Sequence, residues 1–455
     1  MAHGIAQLFI RPGGQLWLAG SERMVYPRSM PISRPATTPA RALFSWALYD
    51  WANSGFAALV QTFVFAAYFA RAVAGNETLG TAWWGNMMGV AGLIIGLGGP
   101  VLGAVADRAG RRKPWLAAFT ALCIAATGFL WFIKPDPAFV WPALLLAGAG
   151  TLGSEYSMIF YNAMLPDLAD KARIGRWSGW GWGLGYAGGL VLLVVALYGL
   201  VQPPGWFGVA RTEALHIRAV MPLTAVWYLV FCLPLFLFTP DTPSTGVPLG
   251  RAVGQAMAQL RGSLRDLRAH RSIAIFLLAR MFYNDGLTTM FAFGGIYAAA
   301  AFGMGPSEVI VFGIGLNVTA GLGAASFAWL DDKLGPRRTI LFSLVGLIVP
   351  GAAILLVKSK TLFWIFGLAI GIFVGPVQAS SRSYLAHAAP AEVRTEMFGL
   401  LALSGKLTSF IGPFLVGWLT LATGSQRIGM SAVVALFVVG LFGMLFVPAV
   451  ANHEE

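Results

Sequence analysis

Asp107-Arg108-Ala109-Gly110-Arg111-Arg112-Lys113 and Asp332-Lys333-Leu334-Gly335-Pro336-Arg337-Arg338 share one spelling. Each reads Asp, base, any residue, Gly, any residue, Arg, base. Asp332 follows Asp107 by 225 residues in a chain of 455, and every matched position keeps that offset. Each loop closes one long apolar segment and opens the next. A chain that repeats such a loop halfway along is expected to hold two parallel-related membrane halves, an architecture typical of transporters.

The composition around the loops agrees. Hydrophobic residues make up 57% of the chain and charged residues 11%, with a mean hydropathy of +0.71. A soluble domain carries about 25% charged residues. A spanning helix needs roughly 20 apolar residues, and twelve such runs are predicted. They are 43–72, 82–106, 114–133, 138–165, 177–201 and 218–238, then 273–300, 307–330, 339–357, 361–386, 397–422 and 428–449. The expected fold is an all-α membrane protein of twelve transmembrane helices in two pseudo-symmetric six-helix bundles. In this division 1–42 is a disordered cytoplasmic tail, 43–238 the first bundle, 239–272 a linker, 273–449 the second bundle and 450–455 a short tail.

The net charge of +12 is distributed in a way that speaks for orientation rather than nucleic-acid binding. With the N-terminus cytoplasmic, the inner segments hold 21 Lys/Arg and the outer loops 7, a threefold positive-inside bias. Both termini are then expected in the cytoplasm, with the basic loops against anionic lipid headgroups. Residues 1–40 contain no apolar stretch with a small-residue cleavage site, so no signal peptide is expected. Met24 and Met30 leave a later start open. Cys123 and Cys232 fall inside spans and read as free core cysteines.

The linker opens with Thr239-Pro240-Asp241-Thr242-Pro243, which should end the sixth helix. Leu260, Leu264 and Leu267, interleaved with Arg261, Arg265 and Arg268, predict an amphipathic helix on the cytoplasmic leaflet. Glycines concentrate in spans 2, 5, 8 and 11. They are Gly92, Gly96, Gly99 and Gly103; Gly181, Gly185 and Gly189; Gly313, Gly315, Gly321 and Gly323; and Gly399, Gly405, Gly412 and Gly417. Such spacing lets backbones approach closely, either as static packing or as mobile contacts between rocking halves.

Away from the span ends, six formal charges fall within spans: Asp50, Glu155, Arg280, Asp285, Arg382 and Lys406. Most sit roughly 8 to 20 Å from a cytoplasmic helix end at 1.5 Å per residue. An ionised group there needs a partner or a cavity. Arg382, the shallowest, can reach the interface by snorkelling. Tyr49, Asp50 and Asn53 share a helical face with Trp46. Arg280, Tyr283, Asn284 and Asp285 form the matching stretch of the seventh span, where Asn284-Asp285-Gly286 suggests a helix broken at midplane. Asn162 follows Glu155, and Trp182 and Tyr186 lie on the fifth span. Two readings compete. In one, ion pairs latch the cytoplasmic ends of the halves together. In the other, Asp50, Glu155, Asp285 and Lys406 line a cavity where acids bind an amine or a coupling proton, and Arg280 or Lys406 holds a carboxylate.

With Gly103 four residues before Asp107, the first loop resembles the signature between helices 2 and 3 of the major facilitator superfamily. That signature runs Gly, three residues, Asp, base, any residue, Gly, any residue, base, base. The second copy has Ala328 at the glycine position. Gly103, Asp107, Arg108, Gly110 and Arg112, with Asp332, Lys333, Gly335 and Arg338, are therefore the expected gating-loop residues. The stretches Trp46 to Ser54, Arg173 to Gly189, Arg280 to Tyr297 and Leu403 to Pro413 are similar to the vacuole effluxer family, the autophagy-type branch of that superfamily. The resemblance implies a twelve-helix transporter whose fungal relatives export amino acids from the vacuole. This chain lacks their long loops, which points to the bacterial branch and an inner-membrane location.

The expected function is secondary active transport by alternating access, proton-coupled, of a small polar or zwitterionic solute such as an amino acid, in the direction of efflux. Its partners would be that solute, protons and membrane lipids, with no obligate protein partner. No metal, cofactor or catalytic residue is expected: no metal-ligand cluster and no phosphate-binding loop occurs, and His387 beside Ser380, Ser381 and Ser383 is the nearest approach to a catalytic grouping. The alternative is a transporter-like sensor or scaffold using the 239–272 helix.

Overall fold

The computed structural model describes residues 9–11, 15–17, 39–203, 205–248, 250–255 and 271–450. The chain divides into two compact units, Met1–Thr38 and Pro39–Glu455. Within the first, expected as a disordered tail, strands β1 (Phe9–Arg11) and β2 (Gln15–Trp17) pair antiparallel, with Phe9 opposite Trp17. Residues 256–270, which carry Leu260, Leu264 and Leu267 of the predicted amphipathic helix, lie outside the described residues.

The second unit is built of long helices, since a backbone without water must satisfy its own hydrogen bonds. The first half comprises α1 (Ala40–Val73), α2 (Glu77–Ala109), α3 (Lys113–Phe132), α4 (Pro137–Leu168), α5 (Lys171–Val201) and α6 (Thr212–Phe238). The second comprises α7 (Arg271–Phe302), α8 (Pro306–Leu334), α9 (Pro336–Leu356), α10 (Lys360–Ala388), α11 (Ala391–Thr423) and α12 (Gln426–Leu445). Eleven are long and apolar enough to cross a membrane; α7, 32 residues long, carries Arg280 and Asp285 within it. Large apolar side chains such as Leu97, Trp141, Leu356 and Leu421 are exposed on the outer faces, which lipid accepts and water does not.

Turn chemistry repeats with the sequence. Gly110 ends α2 at φ 89° and Gly335 ends α8 at φ 84°, each donating its N–H to the carbonyl of the residue four back. That conformation explains why glycine recurs in both loops. The sixth helix stops at Phe238, before Pro240, and the chain then folds over the first loop. Asp241 accepts the backbone N–H of Arg112 (3.0 Å) and of Lys113 (3.2 Å), which caps the start of α3.

Two expectations about helix continuity are corrected. The Asn284-Asp285-Gly286 stretch does not break α7, which runs uninterrupted. The break lies in α11, where one segment ends at Leu407 and the next begins at Ile411. Pro413 has no N–H to continue the ladder, and the N–H of Gly412 goes to Asp285 instead (2.9 Å). In α1 the irregularity takes the form of two π-helical stretches, Ala57–Phe63 and Phe69–Val73.

The halves meet where α2 crosses α11 and α5 crosses α8. At the first crossing a Cβ on Gly99 would lie 3.3 Å from the carbonyl oxygen of Gly399, and one on Gly103 would strike the backbone of Thr395. At the second the residues differ from expectation. Gly179 and Gly183 face Ala324, Ala325 and Ala328 of α8, whereas Gly185 and Gly189 pack inside the first half against α1, and Gly181 lies against Asp50 and the Arg382 guanidinium. Both sets step by four residues, but an offset of two, about 200° around the axis, places them on different faces of one helix.

Candidate functional site

We call the end carrying the two repeated loops the signature end. There each signature aspartate grips a helix of the opposite half. Asp107 accepts the N–H groups of Thr395 (3.1 Å) and Glu396 (2.9 Å) at the start of α11. Asp332 accepts the N–H of Arg176 (2.9 Å) near the start of α5 and also pairs with its guanidinium at 3.2 Å. Carboxylates at helix N-termini are favoured by the unpaired N–H groups and the dipole.

The arginines of the two loops are used differently. Arg112, buried, donates to Thr395 Oγ1 (2.9 Å), lies 3.7 Å from Asp107 and pairs with Asp167. Arg394 of the second half pairs with the same Asp167. Arg337, the positional match of Arg112, instead donates to the Leu445 carbonyl within its own half (2.8 Å). Lys333 and Arg338 are exposed at the rim. His387 hydrogen-bonds backbone carbonyls of Ser383 (2.8 Å) and Lys171 (2.9 Å), not a serine hydroxyl.

Further in, Arg382 of α10 reaches across to α1, α4 and α5. It donates to Asp50 Oδ2 (2.9 Å), Asn162 Oδ1 (3.2 Å) and Ser178 Oγ (2.9 Å). Tyr161 donates to the same Asp50 oxygen (2.9 Å). The guanidinium lies 5.0 Å from the Trp46 ring centre, 5.7 Å from Tyr161 and 5.9 Å from Trp182, within cation–π range. Arg382 and Asp50 expose only 3% and 8% of their side chains. Snorkelling is thus excluded: Arg382 is turned inward because its partners sit at the seam.

Deepest is Lys406 of α11, 2.8 Å from Glu155 of α4. These two side chains keep 29% and 33% exposure. Along their helices Glu155 and Lys406 stand about 20 Å from the signature end, and Arg382 only about 9 Å. In the described residues the hydrogen bonds and ion pairs joining the halves concentrate between that end and this pair.

The remaining candidates separate by face. Arg280 donates to the Leu401 carbonyl (3.0 Å) and Ser404 Oγ (3.1 Å), Asn284 to the Gly405 carbonyl (3.3 Å), and Asp285 accepts from Gly412 and Thr289. Together they hold the broken α11 against α7. Tyr49 is bonded to Thr120 Oγ1 (2.6 Å) and Tyr228 (2.9 Å) inside the first half, and Tyr283 to Ser381 Oγ (2.7 Å) inside the second. Both turn away from the seam. Asn53 accepts from Ser154 and Tyr228, each at 2.8 Å, one residue from Glu155. Trp182 and Tyr186, rings 5.9 Å apart, lie on α5 where it faces the second half, with Tyr186 against Gly321.

Sequence reasoning left out Asp167, Arg394, Arg176 and Ser178. One signal was available. The α4–α5 and α10–α11 connections each form a short 3-10 turn ending beside an arginine, Lys171–Arg173 and then Arg176, Ala391–Val393 and then Arg394. Both arginines therefore stand at the N-terminal edge of the helix that the opposite signature aspartate caps.

Comparisons with known proteins bear on the family and the fold. The profile described as vacuole effluxer Atg22 like matches residues 38–455. The uncharacterized MFS-type transporter YxiO of Bacillus subtilis (strain 168) is 29% identical over 424 residues, covering 89% of this chain and 94% of that protein. Autophagy-related protein 22-1 of Penicillium rubens is 25% identical over 295 residues, and the match spans 60% of this chain and about half (49%) of the fungal one. Among solved structures, the proton:xylose symporter XylE superposes with a TM-score of 0.69 at 15% identity, over 90% of this chain and 96% of that one. A bacterial homologue of the iron transporter ferroportin in an outward-facing state gives 0.66 at 15% identity, over 89% and 98%. The relatives are transporters rather than enzymes, the fold is that of the major facilitators, and the chain belongs to the vacuole effluxer Atg22-like family.

Proposed function

We propose that this major facilitator transporter moves a small polar or zwitterionic, amino-acid-like solute outward by alternating access, driven by proton exchange. One observation carries the reading: the Lys406–Glu155 pair spans the seam at mid-depth and is about one-third exposed. A zwitterion offers a carboxylate to Lys406 and an ammonium to Glu155, so it can take the place of each partner for the other. The Trp182 and Tyr186 rings add apolar contact near the same seam. The description of the family as vacuole effluxers supports the outward direction.

Glu155 is the best-placed proton carrier of the three acids. Asp50 is held by Arg382 and Tyr161, and Asp285 is committed to the Gly412 N–H. Glu155 pairs with a partly exposed lysine that solute binding would draw away. The positive-inside bias puts the signature end and both termini in the cytoplasm of a bacterial inner membrane. With that orientation the closed signature end is the cytoplasmic gate.

The test uses proteoliposomes and radiolabelled amino acids. Glu155→Gln is expected to abolish pH-driven accumulation while retaining exchange between equal concentrations. Accumulation equal to wild type would remove Glu155 from the coupling step. An absence of exchange with every amino acid, in protein whose labelled signature loops still move, would remove the proposed substrate class.

A further inference from the structure

Away from the signature end, the second half contains two cavities that share Tyr297 and Met430. The first, about 310 Å³, lies among α7, α8, α9, α10 and α12, and Thr62 and Phe63 of α1 enter it from the first half. The second, about 280 Å³, lies among α7, α11 and α12 and is bordered by Thr420 and Gln426. Small-molecule sites begin at roughly 300 Å³. The first cavity is walled by apolar groups such as Met290, Phe312, Leu316, Phe363, Val433 and Phe437.

Thr62 and Asn317 also line the first cavity, each bonded to a carbonyl of its own helix, and the polar atoms without a partner border the second. Tyr297 is 3% exposed, and its hydroxyl has no hydrogen-bond partner among the described residues. The buried Oε1 of Gln426 is in the same position. Buried polar atoms are nearly always paired, so a donor and an acceptor bordering one cavity call for a ligand that supplies both functions. A hydroxyl does so: it accepts from Tyr297 and donates to Gln426. A carboxylate accepts from Tyr297, and from the Gln426 amide once that group turns over, but its charge would lie unpaired against an apolar wall. The nearby cation, Arg427, is already turned to the carbonyls of Leu355 (2.9 Å) and Val357 (2.6 Å). The glycines also leave room: a Cβ on Gly294 or Gly313 would meet no heavy atom within 4 Å.

We propose that the two cavities form one site for a neutral, single-tailed, hydroxyl-headed amphiphile such as a long-chain alcohol or a monoacylglycerol. Its tail fills the first cavity and its hydroxyl lies between Tyr297 and Gln426. Because Thr62 and Phe63 complete the wall, the site is whole only while α1 stands against the second half, and its occupant favours this conformation.

The experiment is photo-labelling of the full chain in phosphatidylcholine nanodiscs with a diazirine-bearing long-chain alcohol, mapped by peptide mass spectrometry. Saturable labelling is expected around Met290 and Met430, displaced by unlabelled monoacylglycerol. Tyr297→Phe should weaken it about fivefold, the worth of one hydrogen bond. Gly313→Leu, which fills the tail cavity, should abolish it. Should that variant fail to fold, Gly294→Leu fills the same space from α7. Equal labelling by a hydrocarbon probe lacking the hydroxyl, preference for the matching carboxylic acid, or labelling indifferent to a folded cavity-filling variant would each overturn the proposal.

Discussion

Replacing Arg382 with methionine should open the signature end. In the closed arrangement the guanidinium is the cationic partner of a buried carboxylate, Asp50, and it joins α10 to α1, α4 and α5. Removing one member of a buried pair typically costs about 3–5 kcal/mol, because the remaining charge stays buried without compensation. Here that cost falls on one conformation. When the halves part at this end, Asp50 gains water and the penalty is relieved. The mutation should therefore shift the balance between closed and open forms by roughly 10²- to 10⁴-fold toward open, with less effect on the fold itself.

Arg111 and Lys333 are exposed on the two signature loops, one in each half, so spin labels on Arg111→Cys and Lys333→Cys report their separation. The native Cys123 and Cys232 are buried and will not compete for label. Double electron–electron resonance should show a dominant short distance in the parent protein and a dominant long one in Arg382→Met. Adding Asp50→Leu should restore much of the short distance, since replacing both members of a buried pair by apolar groups is often close to neutral. If Arg382→Met leaves the distance distribution unchanged in a protein of unchanged thermal stability, the pair is no latch.

Two further substitutions test the seam and the broken helix. Gly103→Val would place a side chain on the Thr395 backbone and should give the same long distance, whereas Ala328→Gly removes one methyl and should cost only about 1 kcal/mol in thermal unfolding, the helix-propensity difference. Asp285→Ala leaves the Gly412 N–H buried without its acceptor and should lower stability by about 1–3 kcal/mol, with Asp285→Asn, which keeps a carbonyl oxygen, losing less.

Much of this was legible in the chain because membranes impose strong rules. Twelve apolar runs and a doubled loop lead to two bundles, and a positive φ at Gly110 and Gly335 is what the repeated glycine requires. Pairing was harder to read. The face on which Arg382 lies is visible from its spacing, but its partner, 332 residues away, depends on how one bundle is laid on the other. The position of the helix break was misread for a related reason. Asn284-Asp285-Gly286 spells a turn in water, yet within a membrane span α7 keeps its ladder and lends the Asp285 carboxylate to α11, where Pro413 has already opened a gap. The local signal was real and acted on the neighbouring helix.

The same logic explains why the doubled loop does not make a doubled gate. At the α2–α11 crossing, Gly103 lets the backbones touch, and Arg112 adds a bond to Thr395 and an ion pair to Asp167. At the α5–α8 crossing, the small residue is on the other helix: Gly179 accommodates the methyl of Ala328. The matching Arg337 is spent on α12, so the repeated loop links the halves there through Asp332 and Arg176, and the arginine that reaches into the first half must come from another helix. That arginine is Arg382 of α10, acting through Ser178 on α5 and Asp50 on α1. The two sides of the gate are thus closed by arginines from non-equivalent helices, one against the rim and one deeper. Opening must desolvate and resolvate them in different surroundings. Across the seam at the rim Arg394 meets a partly exposed Asp167 (36%), whereas Arg382 meets an Asp50 shut from solvent (8%), and a surface-screened pair yields at far lower cost than a sealed one. The rim pair should therefore part first, and the barrier to opening resides at Arg382.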